Sequence, residues 1–346
     1  MSETVRDIPA FATRAALTTR SAARPGAREW ARHSLLFALT ALTMAWAGMS
    51  LALPFDGIEP SLALPASPLD YLLYVPKYYV LMLAASGSFA LAHPHFILEG
   101  VKFAAALLPI LLAHESGHYI ACRLYGVDAT LPFFIPVPPP FMAGTLGAFI
   151  KIKSPIPSRR ALFDIGVAGP LAGFAVIIPV AVIGLLTATP DTTAAAAQGG
   201  GVIVFNDPLL LRMLAAPLGV GDLGNIAPNP FYFAAWFGLL VTSLNLLPVG
   251  QLDGGHAVYA LLGRRVHKYV GRIAFLSMLA LAPLGWLWHG APTSVLYVVL
   301  LFVMLRVPHP APLDDQDPLG RARIIVGILT LIVFALSFLA FPLTIK

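Results

Sequence analysis

Two histidines four residues apart, with a glutamate between them, are the first residues in this sequence that could do chemistry: His114-Glu115-Ser116-Gly117-His118. On an α-helix, residues four apart share a face. Both imidazoles can therefore present a nitrogen to one Zn²⁺, with Glu115 placed to act as general base on a water there. A catalytic zinc takes three protein ligands and keeps a fourth position open, so one ligand is missing. The best donor for it is Asp253, in Asn245-Leu-Leu-Pro248-Val-Gly250-Gln-Leu-Asp253-Gly254-Gly255-His256. Pro248, Gly250, Gly254 and Gly255 would break a membrane helix here. Such breaks are tolerated where they line a cavity or pack in protein, and a carboxylate on one could face the two histidines. Asn245, on the same segment, offers an amide that could hydrogen-bond a substrate carbonyl as its charge develops. A helix–helix hydrogen bond is its structural alternative.

The histidine pattern alone recurs in many chains, and its surroundings give it weight. Of the seventeen acids, only Glu115 and Asp253 lie well within apolar surroundings. Each would cost about 3 kcal/mol on insertion scales without a partner. Asp164 sits at the mouth of its apolar run, four residues from Arg160, within reach of water. Other candidates compete less well. His256 reads as a satisfied polar residue at a helix start rather than a fourth ligand. Cys122, on the face of His118, reads as a packed thiol. His93 and His95 straddle Pro94 with no third donor, and read as a loop pair.

The elements that must position these residues are membrane helices. The chain has 346 residues, 58% hydrophobic and 11% charged, against roughly a quarter charged in soluble domains. Its mean hydropathy is +0.80. These values exclude soluble enzymes, nucleic-acid binders and disordered scaffolds. The net charge of +5 comes in short clusters beside apolar runs, as in membrane proteins rather than nucleic-acid binders. One cysteine excludes an internal disulfide and a cysteine-built metal site. Apolar runs at 34–53, 71–98, 101–124, 162–187, 231–248, 273–289, 294–307 and 324–343 predict an all-α polytopic membrane protein of seven or eight segments. The run at 71–98, interrupted by Pro76, Lys77 and Pro94, is doubtful as one simple span. The division expected is a basic flexible tail at 1–33, membrane segments at 34–100, a catalytic membrane core at 101–262 and C-terminal helices at 263–346. The tail is Arg-rich enough to raise the question of a transit peptide. Bases near 151–160 and 264–272 put those connections, and the active site, toward the cytoplasmic side of a plasma or inner membrane.

Residues 144–153 alternate and are rich in β-branched side chains, as a short strand or hairpin would be. A small β element near 143–153 at the cytoplasmic face is expected, with an interfacial loop as the plainer reading. A peptide bond inside a membrane helix is shielded and must be unwound before it is cut. A sheet edge beside the zinc could hold the unwound segment by strand addition. Gly144, Thr145, Leu146 and Gly147 are the candidate substrate-binding residues.

With these motifs in order, the sequence resembles the site-2 protease family of intramembrane zinc metalloproteases. The likeness covers about residues 101–262. It rests on His114–His118, on Asn245 to Pro248 followed by Leu252-Asp253-Gly254-Gly255, on Gly144-Thr-Leu-Gly147, and on Gly169-Pro170-Leu-Ala-Gly173. The proline-rich stretch before Gly144 and the residue Gln251 look most like the chloroplast and cyanobacterial branch, which lacks a PDZ domain. The resemblance implies one Zn²⁺ held by His114, His118 and Asp253, Glu115 as base and Asn245 as auxiliary residue. It implies cleavage of membrane-anchored regulators; single-span proteins in the lipid bilayer are the expected partners, with no nucleic acid. The rival from another class is a metal-ion or proton transporter using the same His, Glu and Asp.

Overall fold

In lipid, a backbone amide finds no water, so long uncharged runs fold as helices that bond to themselves. The computed structural model describes residues 24–53, 69–138, 143–190, 203–290 and 294–345, together with Ile58, Leu62, Pro65 and Ser67. Its helices are α1 (Ala27–Ala52), α2 (Tyr71–Ala92), α3 (His95–Leu124), α4 (Arg159–Leu186), α5 (Leu209–Ala215), α6 (Pro230–Asn245), α7 (Asp253–His289), α8 (Ser294–Arg306) and α9 (Gly320–Ser337). Six of them, α1, α2, α3, α4, α7 and α9, are long and apolar enough to cross a membrane. The shorter α6 and α8 have 16 and 13 residues. Together these eight account for every apolar run in the sequence. The chain is a polytopic helical membrane protein with small antiparallel β pairs. The tail at residues 1–23 lies outside the described residues, and α1 begins at Ala27.

Local chemistry sets the helix ends. Ser158 caps α4, its hydroxyl accepting from the Ala161 N–H at 3.2 Å. Asn229 caps α6 by accepting from the Tyr232 N–H at 3.0 Å, with Pro230 in the first turn. Both residue types are favoured N-caps, and proline suits the first helical position. Helix α7 breaks at Gly263, which takes a φ of 82°. The freed carbonyls of Ala260 and Leu261 accept from Arg159 at 2.5 and 3.3 Å. The element carrying Asp253 is therefore a short helix, 253–262, ahead of the longer 264–289.

The interior lies between α3, α4 and α6, where Phe103, Leu107, Ile110, Ile177, Leu185, Trp236 and Leu239 are buried. Leucines that point outward, such as Leu73, Leu124 and Leu287, are exposed and match lipid rather than water. Helices α3 and α4 touch backbone to backbone at Gly117, where a Cβ would lie 2.4 Å from the Ala168 carbonyl oxygen. Helix α2 has its buried residues, Ser86 and Ala90, in its last two turns. The run at 71–98 is thus two helices parted at His93 and Pro94.

Between α3 and α4, β1 (Phe133–Pro136) pairs antiparallel with β2 (Thr145–Phe149). A bridge between Ala129 and Ile152 extends the hairpin. The sequence suggests the second strand; the first is masked by prolines. Pro136 lacks an N–H and sits beyond an irregularity in register after Phe134, where a proline costs least. Helix α1 buttresses this hairpin. His33 donates from Nδ1 to the Pro132 carbonyl at 2.9 Å, and Phe37 packs edge-on to Phe134. The pairs β3 (Thr189–Pro190) with β5 (Ile226–Ala227) and β4 (Ile203–Phe205) with β6 (Leu343–Ile345) lie toward the opposite end of α4.

Candidate metal centre

Helix α3 carries His114, Glu115 and His118, all buried. Pro248 and Gly250, the latter at φ 57°, end the α6 segment, and the chain turns back so that Asp253 opens α7. A carboxylate in a first helical turn is favoured by the helix dipole. His114 Nε2, His118 Nε2 and Asp253 Oδ2 stand at the corners of a triangle with three edges of 3.2 Å. Zinc holds such ligands at about 2.0–2.1 Å in a tetrahedron, whose edges are then about 3.3 Å. The triangle fits one face of that tetrahedron. Among the described residues it is the one group of three or more His, Cys, Asp or Glu close enough to hold a metal ion.

The partners of the ligands support this assignment. His118 Nδ1 lies 2.7 Å from the Ile165 carbonyl oxygen. A carbonyl only accepts, so Nδ1 carries the proton and Nε2 keeps its lone pair for a metal. Asn245, the last residue of α6, places Nδ2 3.3 Å from His114 Nε2. Helix α4 supplies the space. A Cβ on Gly169 would lie 2.1 Å from His118 Nε2, and one on Gly173 would lie 3.2 Å from the His114 Cβ. The Gly169-to-Gly173 motif thus leaves one hollow for each imidazole. The Ile150 N–H, from the residue that follows β2, faces the Glu115 carboxylate. Glu115 and the hairpin are therefore neighbours.

A model of Peptidase family M50 matches residues 102–282, just over half of the chain. The chain belongs to peptidase family M50. The match spans the whole triangle, Glu115, Asn245 and the hairpin, and it shows the family that the motifs resemble. The M50 chain is 34% identical over 239 residues to "Probable zinc metalloprotease EGY1, chloroplastic" of Oryza sativa subsp. japonica, covering 67% of this chain and 40% of that protein. It is 33% identical over 243 residues to the Arabidopsis thaliana protein of the same name, covering 69% and 42%. With "Probable zinc metalloprotease EGY2, chloroplastic" of Arabidopsis thaliana it shares 31% over 255 residues, covering 70% and 42%. The M50 chain spans about two-fifths of the length of these relatives. No solved structure matches it.

The remaining candidates of this M50 chain fall elsewhere. His256 is not one of the corners of the triangle; its Nδ1 lies 2.7 Å from His309 Nε2. Cys122 is a free, fully buried thiol packed among Val127, Leu162 and Phe163. His93 donates from Nδ1 to the Phe89 carbonyl. Asp164 pairs with Arg323 rather than Arg160, which instead meets Asp317 at 3.1 Å. The four hairpin candidates divide by surroundings. Gly144 is pressed on α1, its carbonyl accepting from Thr43 Oγ1 at 2.7 Å. Thr145 is buried and donates to the Ile135 carbonyl at 2.9 Å. Leu146 is 63% exposed, and the space a side chain at Gly147 would occupy is open. Sequence reading missed the backbone group that orients His118, the Ile165 C=O, and the Ile150 N–H that faces Glu115. Neither has a side-chain signature.

Proposed function

We propose that this chain is an intramembrane zinc metalloprotease that hydrolyses peptide bonds of membrane-anchored, single-span proteins. The observation that carries the reading is the 3.2 Å triangle of His114, His118 and Asp253 with a buried carboxylate beside it on an apolar helix. His114, His118 and Asp253 would hold the metal. Zn²⁺ there supplies Lewis acidity toward the attacking water and the scissile carbonyl. Glu115 takes the proton from that water and later delivers it to the leaving amine nitrogen. The Ile150 N–H lies beside the carboxylate that makes this shuttle. Asn245 is placed to donate from its amide to the carbonyl oxygen as charge develops there. His118 stays in one tautomer because Ile165 holds its Nδ1 proton.

The open part of β2, Leu146 and Gly147, is the substrate edge in this reading. An unwound substrate laid along it would run beside Ile150 and hence beside the base. Orientation follows from charge. Lys151, Lys153, Arg159 and Arg160 lie at the site end of the molecule, and Glu29 at the start of α1 meets Lys153 at 3.5 Å. Bases mark the cytoplasmic side, which puts the site toward the cytoplasm of a plasma or inner membrane. The transporter reading is not supported by the comparisons, whose family match is to peptidases.

The deciding experiment purifies the protein, counts bound zinc and follows cleavage of a panel of single-span substrates, with metal flux measured in liposomes. One zinc per chain with substrate cleavage is expected. Flux without cleavage would overturn the protease reading. The edge assignment has its own test. Cysteine placed in a substrate should form a disulfide with Leu146→Cys but not with Thr145→Cys, because Thr145 is buried. The native Cys122 is fully buried and should give no background. Equal crosslinking at both positions would remove the edge assignment.

A further inference from the structure

Three side chains, Tyr125 at the end of α3, Asp164 on α4 and Arg323 on α9, meet just beyond the zinc triangle. Arg323, near the start of α9, donates from Nε to Asp164 Oδ1 at 2.9 Å and from Nη2 to Asp164 Oδ2 at 2.6 Å. The same Nη2 donates to the Tyr125 hydroxyl at 3.1 Å, and Nη1 to the Leu319 carbonyl at 3.3 Å. The Tyr125 hydroxyl in turn donates to Asp164 Oδ2. Tyr125 follows α3, two turns after His118. Asp164 lies in the second turn of α4, directly before Ile165. The Ile165 carbonyl is the group that holds the His118 Nδ1 proton.

We infer that Arg323 is a positioning residue for the zinc ligand His118, acting through Asp164 and Tyr125. This rests on the zinc reading of the site. A guanidinium is a planar fork, and a bidentate bond to a carboxylate fixes both direction and distance. Pinning Asp164 pins α4 one residue before Ile165, and so the placement of the following peptide unit, whose Ile165 carbonyl orients the imidazole. Tying Tyr125 to the same guanidinium fixes the end of α3 against α4. The ring of His118 is then held at both its backbone and its Nδ1. Groups that orient a ligand in this way typically contribute about 10–100-fold to metal affinity. Lysine would keep the charge but lose the fork.

A plain anchor for α9 would use the same bonds, so the test needs a readout that anchoring alone does not move. The full-length protein is purified as wild type, Arg323→Gln, Arg323→Lys and Tyr125→Phe. Zinc affinity is measured by chelator competition, the visible spectrum of the Co²⁺-substituted form is recorded, and thermal midpoints are compared. The expected results are a 10–100-fold weaker zinc affinity for Arg323→Gln and a partial rescue by lysine. Tyr125→Phe, which keeps the ring packing, should weaken zinc about threefold to tenfold. The cobalt bands should shift in all three. Unchanged affinity and spectrum with a lowered midpoint would overturn the inference. If Arg323→Gln fails to fold, the same readouts on Tyr125→Phe decide alone. A wild type that binds neither Zn²⁺ nor Co²⁺ overturns the metal-centre reading and this inference with it.

Discussion

Glu115→Gln is expected to retain its zinc and to lose cleavage by about 10²–10⁴-fold, the usual contribution of a positioned general base. The change is close to isosteric. A glutamine amide has the same shape and can face the Ile150 N–H as the carboxylate does, so the side chain has a reason to stay in place. An amide cannot take a proton from water at neutral pH, and this is the single function removed. Zinc content should hold because the triangle is made of His114, His118 and Asp253 alone. Stability should not fall either. A carboxylate in an apolar helix costs several kcal/mol to keep charged, and a neutral amide of the same shape removes that cost. The measurement is a metal assay beside a cleavage time course on one preparation. Residual cleavage above about one hundredth of wild type would take the role of base away from Glu115.

The chemistry was legible in this sequence because charge is scarce. In a chain with 11% charged residues, an acid inside an apolar run stands out, and the helical repeat brings His114 and His118 together without help. Asp253 could be paired with them because it is the other acid well within apolar surroundings, and His256 beside it competes less well. The parts that stayed hidden have physical reasons. Strand β1 contains Pro136, and its pairing depends on a partner a dozen residues away. The groups that face His118 and Glu115 are a backbone carbonyl and a backbone N–H, which every residue possesses. The Asp164–Arg323 pair spans 159 positions, whereas sequence reading favours the neighbour at four. Helix α7 reads as a span starting near 273 because its first half is polar and Gly-rich, yet a cap from Arg159 at Gly263 lets that half stand as a helix of its own.

Gly169→Ala should lose zinc while keeping the fold, an outcome opposite to what local propensity suggests. In a helix interior, alanine is favoured over glycine by about 1 kcal/mol, so on propensity alone the variant should be more stable. The added Cβ, however, would lie 2.1 Å from His118 Nε2 and 2.4 Å from its Cδ2. Overpacking of this kind costs about 1–3 kcal/mol, so the two effects largely offset one another and the thermal midpoint of the metal-free protein should move little. The metal site has no such offset. Restoring an ordinary contact requires the imidazole to move by about 1 Å, and the triangle of 3.2 Å edges is then broken at one corner. A loss of about 100-fold or more in zinc affinity is expected, at or beyond the upper end of what losing an orienting group costs. Gly173→Ala supplies the internal control. Its Cβ would stand 3.2 Å from His114 Cβ and 3.4 Å from Nδ1, which asks for a shift of only a few tenths of an ångström, and its zinc affinity should fall by less than about tenfold. The two substitutions are chemically identical, sit one turn apart on α4 and differ in which histidine they meet and how closely. Equal effects on zinc from both would show that α4 yields as a whole, and that the hollow at Gly169 is not what holds His118 in place.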